Sequence, residues 1–142
     1  MAYATIADME GLYSQDELIQ RTNLDNPDAD TIDLDVLQQA LDDAQTEMDG
    51  YLGRYTLPFA EAPPLLNRLC RIIARKNLYF DAPPMGADQP QWRLDYKDAM
   101  RLLTQIAAGT INLGSELAAP HIAVILTSGN PRRLTRRQLR DM

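Results

Sequence analysis

Nine apolar residues between positions 36 and 55 recur at helical spacing: Val36, Leu37, Ala40, Leu41, Ala44, Met48, Tyr51, Leu52 and Tyr55. That period builds one apolar stripe along an α-helix. Such a stripe must be covered, so the chain has to supply further elements to pack on it. Thr31 or Asp33 is placed to cap the helix, and Asp33 and Asp35 suit the positive end of its dipole. Its end is expected near Gly53.

The covering elements are also legible as helices. Thr5 and Ser14 read as successive N-caps of two short helices, 6–13 and 15–21. Ser14-Gln-Asp-Glu17 has the pattern of a capping box, with Glu17 expected to reach back to the cap. A polar loop broken by Pro27 follows. Pro63-Pro64 suits the first turn of a further helix carrying Leu66, Leu69, Cys70, Ile72, Ile73, Leu78, Tyr79 and Phe80. Its apolar residues cover more than one face, which predicts a central position. It should stop before Pro83-Pro84. Residues 89–108 form the last long helix, with Trp92, Tyr96, Ala99, Met100, Leu103, Ile106 and Ala107 on its stripe and Gly109 at its C-cap.

The expected fold is therefore mainly α: a small helical bundle of two short N-terminal and three longer helices, followed by an extended C-terminal arm. The predicted core joins Leu37, Leu41, Ala44, Met48, Leu52, Leu66, Leu69, Ile73, Phe80, Tyr96, Leu103 and Ile106. The bundle spans residues 1–114 and the arm 115–142. His121-Ile-Ala-Val-Ile-Leu126 is short, β-branched and apolar, which predicts one strand over 121–126. A lone strand cannot satisfy its own backbone groups, so a neighbouring subunit is the expected source of a partner. A basic tail, 131–142, closes the sequence.

Charge is divided along the chain. Residues 1–50 hold thirteen acids and one base, Arg21, whereas the last dozen hold five arginines and one acid. Opposite ends of this kind attract copies of the chain or two different partners. The partner-binding candidates are the tail residues Arg132, Arg133, Leu134, Arg136, Arg137, Leu139 and Arg140, with Ile122, Val124 and Leu126 on the strand. The net charge of −6 disfavours general nucleic-acid binding by the whole molecule. The tail has no aromatic residue, which argues against a single-strand platform.

Other chemistries find little footing. Asp25, Asp28, Asp30 and Asp33 are crowded, but a calcium-loop register puts Pro27 and Ala29 at ligand positions and Val36 in place of the terminal glutamate. An Asx-rich loop entering a capped helix accounts for them, and no metal site is expected. Cys70 sits among leucines and isoleucines as a small core residue, and nothing in the sequence brings His121 to it. No phosphate loop, nucleophile elbow or zinc spacing is present, so no catalytic residue and no cofactor are expected. One cysteine forms no internal disulfide, consistent with a reducing cytosol. The first residues lack the basic and apolar regions of a signal peptide, and the apolar run 122–126 is too short to span a bilayer.

The order of several segments resembles one family. They are Tyr3-Ala-Thr-Ile-Ala-Asp8-Met, Glu17-Leu-Ile-Gln20, Ile32-Asp33, Ala44-Gln-Thr-Glu-Met-Asp-Gly-Tyr-Leu52, Arg54-Tyr-Thr-Leu-Pro58, Pro63-Pro64-Leu, Ile106-Ala-Ala-Gly109 and Ser128-Gly-Asn-Pro-Arg-Arg-Leu-Thr-Arg-Arg-Gln-Leu139. Together they are similar to the small head–tail connector, or neck adaptor, proteins of Mu-like phages and prophages. Leu134 stands where an aromatic is common in those relatives. The resemblance implies a helical, non-catalytic structural protein that assembles as a ring beneath the portal. Its implied partners are the portal protein and tail-completion or other neck proteins, with no membrane and no sequence-specific nucleic acid. A monomer in isolation is compatible with that role. The implied location is the virion neck, and the host cytoplasm during assembly. The alternative from the residues alone is a small regulatory or DNA-associated protein using its basic C-terminal tail.

Overall fold

Asp33 starts the longest stripe. In the computed structural model, which describes residues 2–81 and 89–114, its carboxylate accepts from the backbone N–H of Asp35 at 3.1 Å and Val36 at 3.3 Å. Thr31 plays no part in that cap. Five α-helices follow in chain order: α1 (Ile6–Leu12), α2 (Gln15–Thr22), α3 (Leu34–Asp49), α4 (Pro64–Leu78) and α5 (Gln91–Ala108). No strand occurs among the described residues, and the architecture is a small helical bundle. The expected strand at 121–126, the basic tail and the arm as a whole lie outside the described residues.

Helix α3 ends at Asp49, one turn short of the expected Gly53. The stripe nevertheless continues: Leu52 is fully buried and Tyr55 nearly so. Tight i→i+3 bonds from Tyr51 N to Met48 O, Leu52 N to Asp49 O and Tyr55 N to Leu52 O carry the chain onward as turns. Such turns tighten a helix end and satisfy its orphan carbonyls. Val36, at the other end of the stripe, is exposed.

Helix α4 is central, packing on α3 on one side and α5 on the other. Pro64 occupies its first turn, where the missing N–H costs nothing. Leu66, Leu69, Cys70, Ile73, Ala74 and Leu78 fall on its buried side. The helix runs antiparallel to α3: Asn77 Nδ2, near its end, donates to the Ala40 carbonyl in the first half of α3 at 3.2 Å, while Tyr3 joins Asp49 at the end of α3 to Asn67 at the start of α4. Because α4 stops at Leu78, Phe80 leaves the helical register. It is 76% exposed and not part of the core, contrary to the sequence-based expectation. Tyr96 is only partly buried, while the other ten predicted core residues are at most 2% exposed.

Helix α5 begins at Gln91, two residues later than expected, and closes in a Schellman turn. Gly109 adopts φ 83°, its N–H bonds Ile106 O, and Thr110 N–H returns to Gln105 O at 3.0 Å. The chain then crosses back to the turns that follow α3, where Leu113 N–H donates to Tyr55 Oη at 3.1 Å.

Helices α1 and α2 pack on α3. Thr5 and Asp8 form a reciprocal capping box on α1. Asn67 of α4 donates to both Asp8 Oδ2 and the Tyr3 carbonyl, at 2.9 and 3.0 Å, which fixes that corner to the bundle. Thr22, buried at the end of α2, donates to Leu18 O and accepts from Asp33 N–H at 3.0 Å. With Asn23 Nδ2 on Thr31 O, it pins both ends of the loop between α2 and α3.

Candidate functional site

Ser14 caps α2 through its bond from Glu17 N–H, but Glu17 does not return the bond as the sequence pattern suggested. Its carboxylate turns to α4 instead, accepting from Arg75 Nε at 2.8 Å and from Tyr79 Oη at 2.7 Å. A partly buried cation and phenol compete better for it than a solvated backbone N–H. Burial and the bond to Glu17 push the Tyr79 phenol up from its ordinary pKa. Burial is the largest influence on Arg75 and opposes its charge, but the bond to Glu17 together with the negative charge of Glu17 and the neighbouring Tyr13 and Tyr79 outweighs it, and the guanidinium is held more firmly protonated.

Around this pair the aromatic residues are stacked with cations. Tyr79 and Trp92 lie parallel, 4.9 Å between centroids, and Arg21 covers the Tyr79 ring at 4.6 Å. Arg75 covers Tyr13 and Lys76 covers Tyr96 at 4.8 and 4.7 Å. These cations are thereby committed to internal contacts.

One exposed apolar feature stands apart. Beside the free end of α4, a groove of about 360 Å³ is lined by Val36, Ala40, Leu78 and Phe80, with Asp35, Gln39, Asp43 and Asn77 at its edges. Helix α3 contributes Asp35, Asp42, Asp43, Glu47 and Asp49 and carries no base. The groove is therefore apolar at its floor and acidic along one wall. A second, more polar cleft of about 620 Å³ lies between α2 and the following loop, lined by residues from Asp16 to Asp30.

Residues that the sequence singled out for chemistry are placed as follows. Among the described residues no group of three His, Cys, Asp or Glu side chains is arranged to hold a metal. Cys70 is buried in the core, and burial pushes its thiol up to about 11. His121 lies outside the described residues. Asp42 and Asp43 accept from Gln38 and Gln39 one turn earlier, both at 2.9 Å, as ordinary helix-surface pairs. No described helix is long and apolar enough to cross a membrane. The partner-binding candidates Ile122, Val124, Leu126, Arg132, Arg133, Leu134, Arg136, Arg137, Leu139 and Arg140 all lie outside the described residues. The groove at Phe80 was not anticipated. Its one sequence signal is a phenylalanine two residues before an alanine and a Pro-Pro pair, where a helix has to stop.

Comparison with known proteins matches this five-helix span. The family model described as Bacteriophage Mu, Gp36 matches residues 3–123. The chain belongs to the Bacteriophage Mu Gp36 family. The match takes in all five helices, and residues 124–142, with the five arginines of the tail, lie beyond it. Among its relatives is the Mu-like prophage FluMu protein gp36 of Haemophilus influenzae, 43% identical over 89 residues. That alignment covers 62% of this chain and 60% of the relative. Gene product J of Escherichia phage Mu is 34% identical over 117 residues, covering 82% of this chain and 79% of gene product J. The protein is thus a member of a Mu-like phage and prophage family with a helical-bundle fold.

Proposed function

We propose that this protein is a head–tail connector of a Mu-like phage or prophage, a non-catalytic adaptor that forms a ring beneath the portal. Its place is the virion neck, and its partners are the portal and other neck or tail-completion proteins. The observation that carries the reading is the division of charge within a chain of this family. Helix α3 displays five acids and no base, and residues 131–142 hold five arginines. A subunit that is acidic on its body and basic on its terminal segment is complementary to a copy of itself placed head to tail, the contact from which rings are closed.

Electron microscopy of the purified protein mixed with its portal tests this. The expected result is an added ring density on one face of the portal. Absence of any portal complex, together with a salt-dependent gel shift on DNA, would instead favour a DNA-associated protein acting through its basic tail.

A further inference from the structure

The groove at Phe80 is the feature that the bundle itself leaves unused. Phe80 is 76% exposed and Val36 38% exposed, both beside the buried Leu78 and Ala40. Asp35 and Asp43 flank them. The nearby cations of α4 are engaged elsewhere, Arg75 with Glu17 and Lys76 over the Tyr96 ring. The surface therefore calls for a ligand with large aliphatic side chains set among positive charges. Beyond the five helices of the bundle, one segment has that composition: Arg132-Arg133-Leu134-Thr135-Arg136-Arg137-Gln138-Leu139-Arg140.

The last described residues, near 113, lie away from the groove. Residue 113 is fixed to Tyr55, just beyond the C-terminal end of α3. The groove lies at the N-terminal half of α3, against the end of the antiparallel α4. The sixteen residues of α3 put about 24 Å between those two ends, at about 1.5 Å per residue. Residue 114, the last one described, is at one end of the bundle, and the acid-flanked groove is at the other. The seventeen residues 115–131 span up to about 60 Å when extended, so segment 132–140 has the reach to a groove on the next subunit, and a groove filled by the following copy is a heterologous contact.

We infer that the apolar, acid-flanked groove between α3 and the end of α4 receives the basic segment 132–140 of a neighbouring copy. Leu134 and Leu139 pack on Phe80, Val36 and Leu78, and the arginines face Asp35 and Asp43. This inference rests on the ring reading above and names the surface through which one subunit holds the next.

Cross-linking of the full chain tests it. One population carries Asp43→Cys and a second carries Leu134→Cys, and the two are mixed under mild oxidation, with and without the portal. Native Cys70 is buried and does not compete. The expected product is a disulfide between the two populations, lost at high salt and reduced at least about tenfold by Phe80→Ser in the acceptor, as for a central interface aromatic. Phe80 is exposed, so Phe80→Ser leaves the fold intact, which its unchanged melting temperature verifies. No cross-link between populations under either condition overturns the inference. So does a doubly substituted chain that closes only on itself, which would make the groove a site for the chain's own tail. A ring on the portal that forms equally well with Phe80→Ser and Asp43→Arg overturns the groove assignment and leaves the connector reading standing. A cross-link in solution with no portal complex supports the groove and removes the connector reading.

Discussion

The Arg54 guanidinium lies over Gly109, in the space that a side chain at position 109 would fill. Two costs meet there. Gly109 has φ 83°, a left-handed conformation that disfavours any L side chain by about 1–2 kcal/mol. The guanidinium, by contrast, is the tip of a flexible chain and can swing away. The backbone term should dominate. Gly109→Ala is expected to destabilise the protein by about 1–2 kcal/mol in urea unfolding. Adding Arg54→Ala should recover less than half of that loss; full recovery would place the cost in the overlap instead.

Burial separates two residues that look alike in sequence. Leu69 is fully buried in the core, and Leu69→Ala should cost about 2–5 kcal/mol. Phe80→Ala should stay within about 0.5 kcal/mol of the parent, as surface changes do. Equal losses at the two positions would mean that Phe80 is covered in solution.

Glu17 holds α2 to α4 through Arg75 and Tyr79, with both members of the ion pair 21% exposed. Removing the carboxylate leaves a half-buried guanidinium without its partner. Glu17→Ala should cost about 1–3 kcal/mol, the range for leaving a buried donor without its partner. Glu10→Ala, on the exposed side of α1, should be near neutral. A double-mutant cycle between Glu17→Ala and Arg75→Ala should show coupling, and additivity would show that the pair is not felt.

The tyrosines set the alkaline limit. Burial, then the hydrogen bond to Glu47, pushes the Tyr96 phenol from 10.0 up to about 12. The folded state therefore holds a proton that the unfolded chain releases. Its stabilisation is complete below about pH 10 and is lost as pH rises to about 12. Tyr3, Tyr13 and Tyr79 shift the same way. Unfolding free energy measured across that window should fall, and less steeply in Tyr96→Phe. At the acid end, the Thr5 backbone bond holds the Asp8 carboxyl below 3.8. That contribution is present at neutral pH and is lost as pH drops below 3.8 and through the folded value. Asp8→Asn should flatten the acid limb.

The acidic loop before α3 is expected to bind no metal stoichiometrically. In a calcium-loop register only Asp25 and Asp33 fall on side-chain ligand positions, and Asp33 is spent on the α3 N-cap. Titration calorimetry with calcium, magnesium or zinc should give only dilution heats; a one-to-one isotherm abolished by Asp30→Ala would contradict this.

Read by itself, the sequence determined the helices. Thr5, Ser14, Asp33 and Gly109 mark helix ends through bonds to backbone only a few residues away, and three- and four-residue spacing marks buried faces whatever packs on them. These are local signals, and five helices and most of the core followed from them. The tertiary structure decided what lies across the chain. Glu17 abandoned its cap for Arg75, a residue 58 positions away. The α3 stripe stayed buried through Leu52 and Tyr55 after the helix had ended, because turns can hold a side chain against the core as well as a helix can. Phe80 went outside because α4 stops at Leu78, and periodicity carries no information about the residue at which a helix stops. For the same reason the acid-flanked groove was not anticipated, although Phe80 lies just before a Pro-Pro pair that stops a helix. It exists where two helices that are distant in sequence end side by side, and only packing brings Val36 to Phe80.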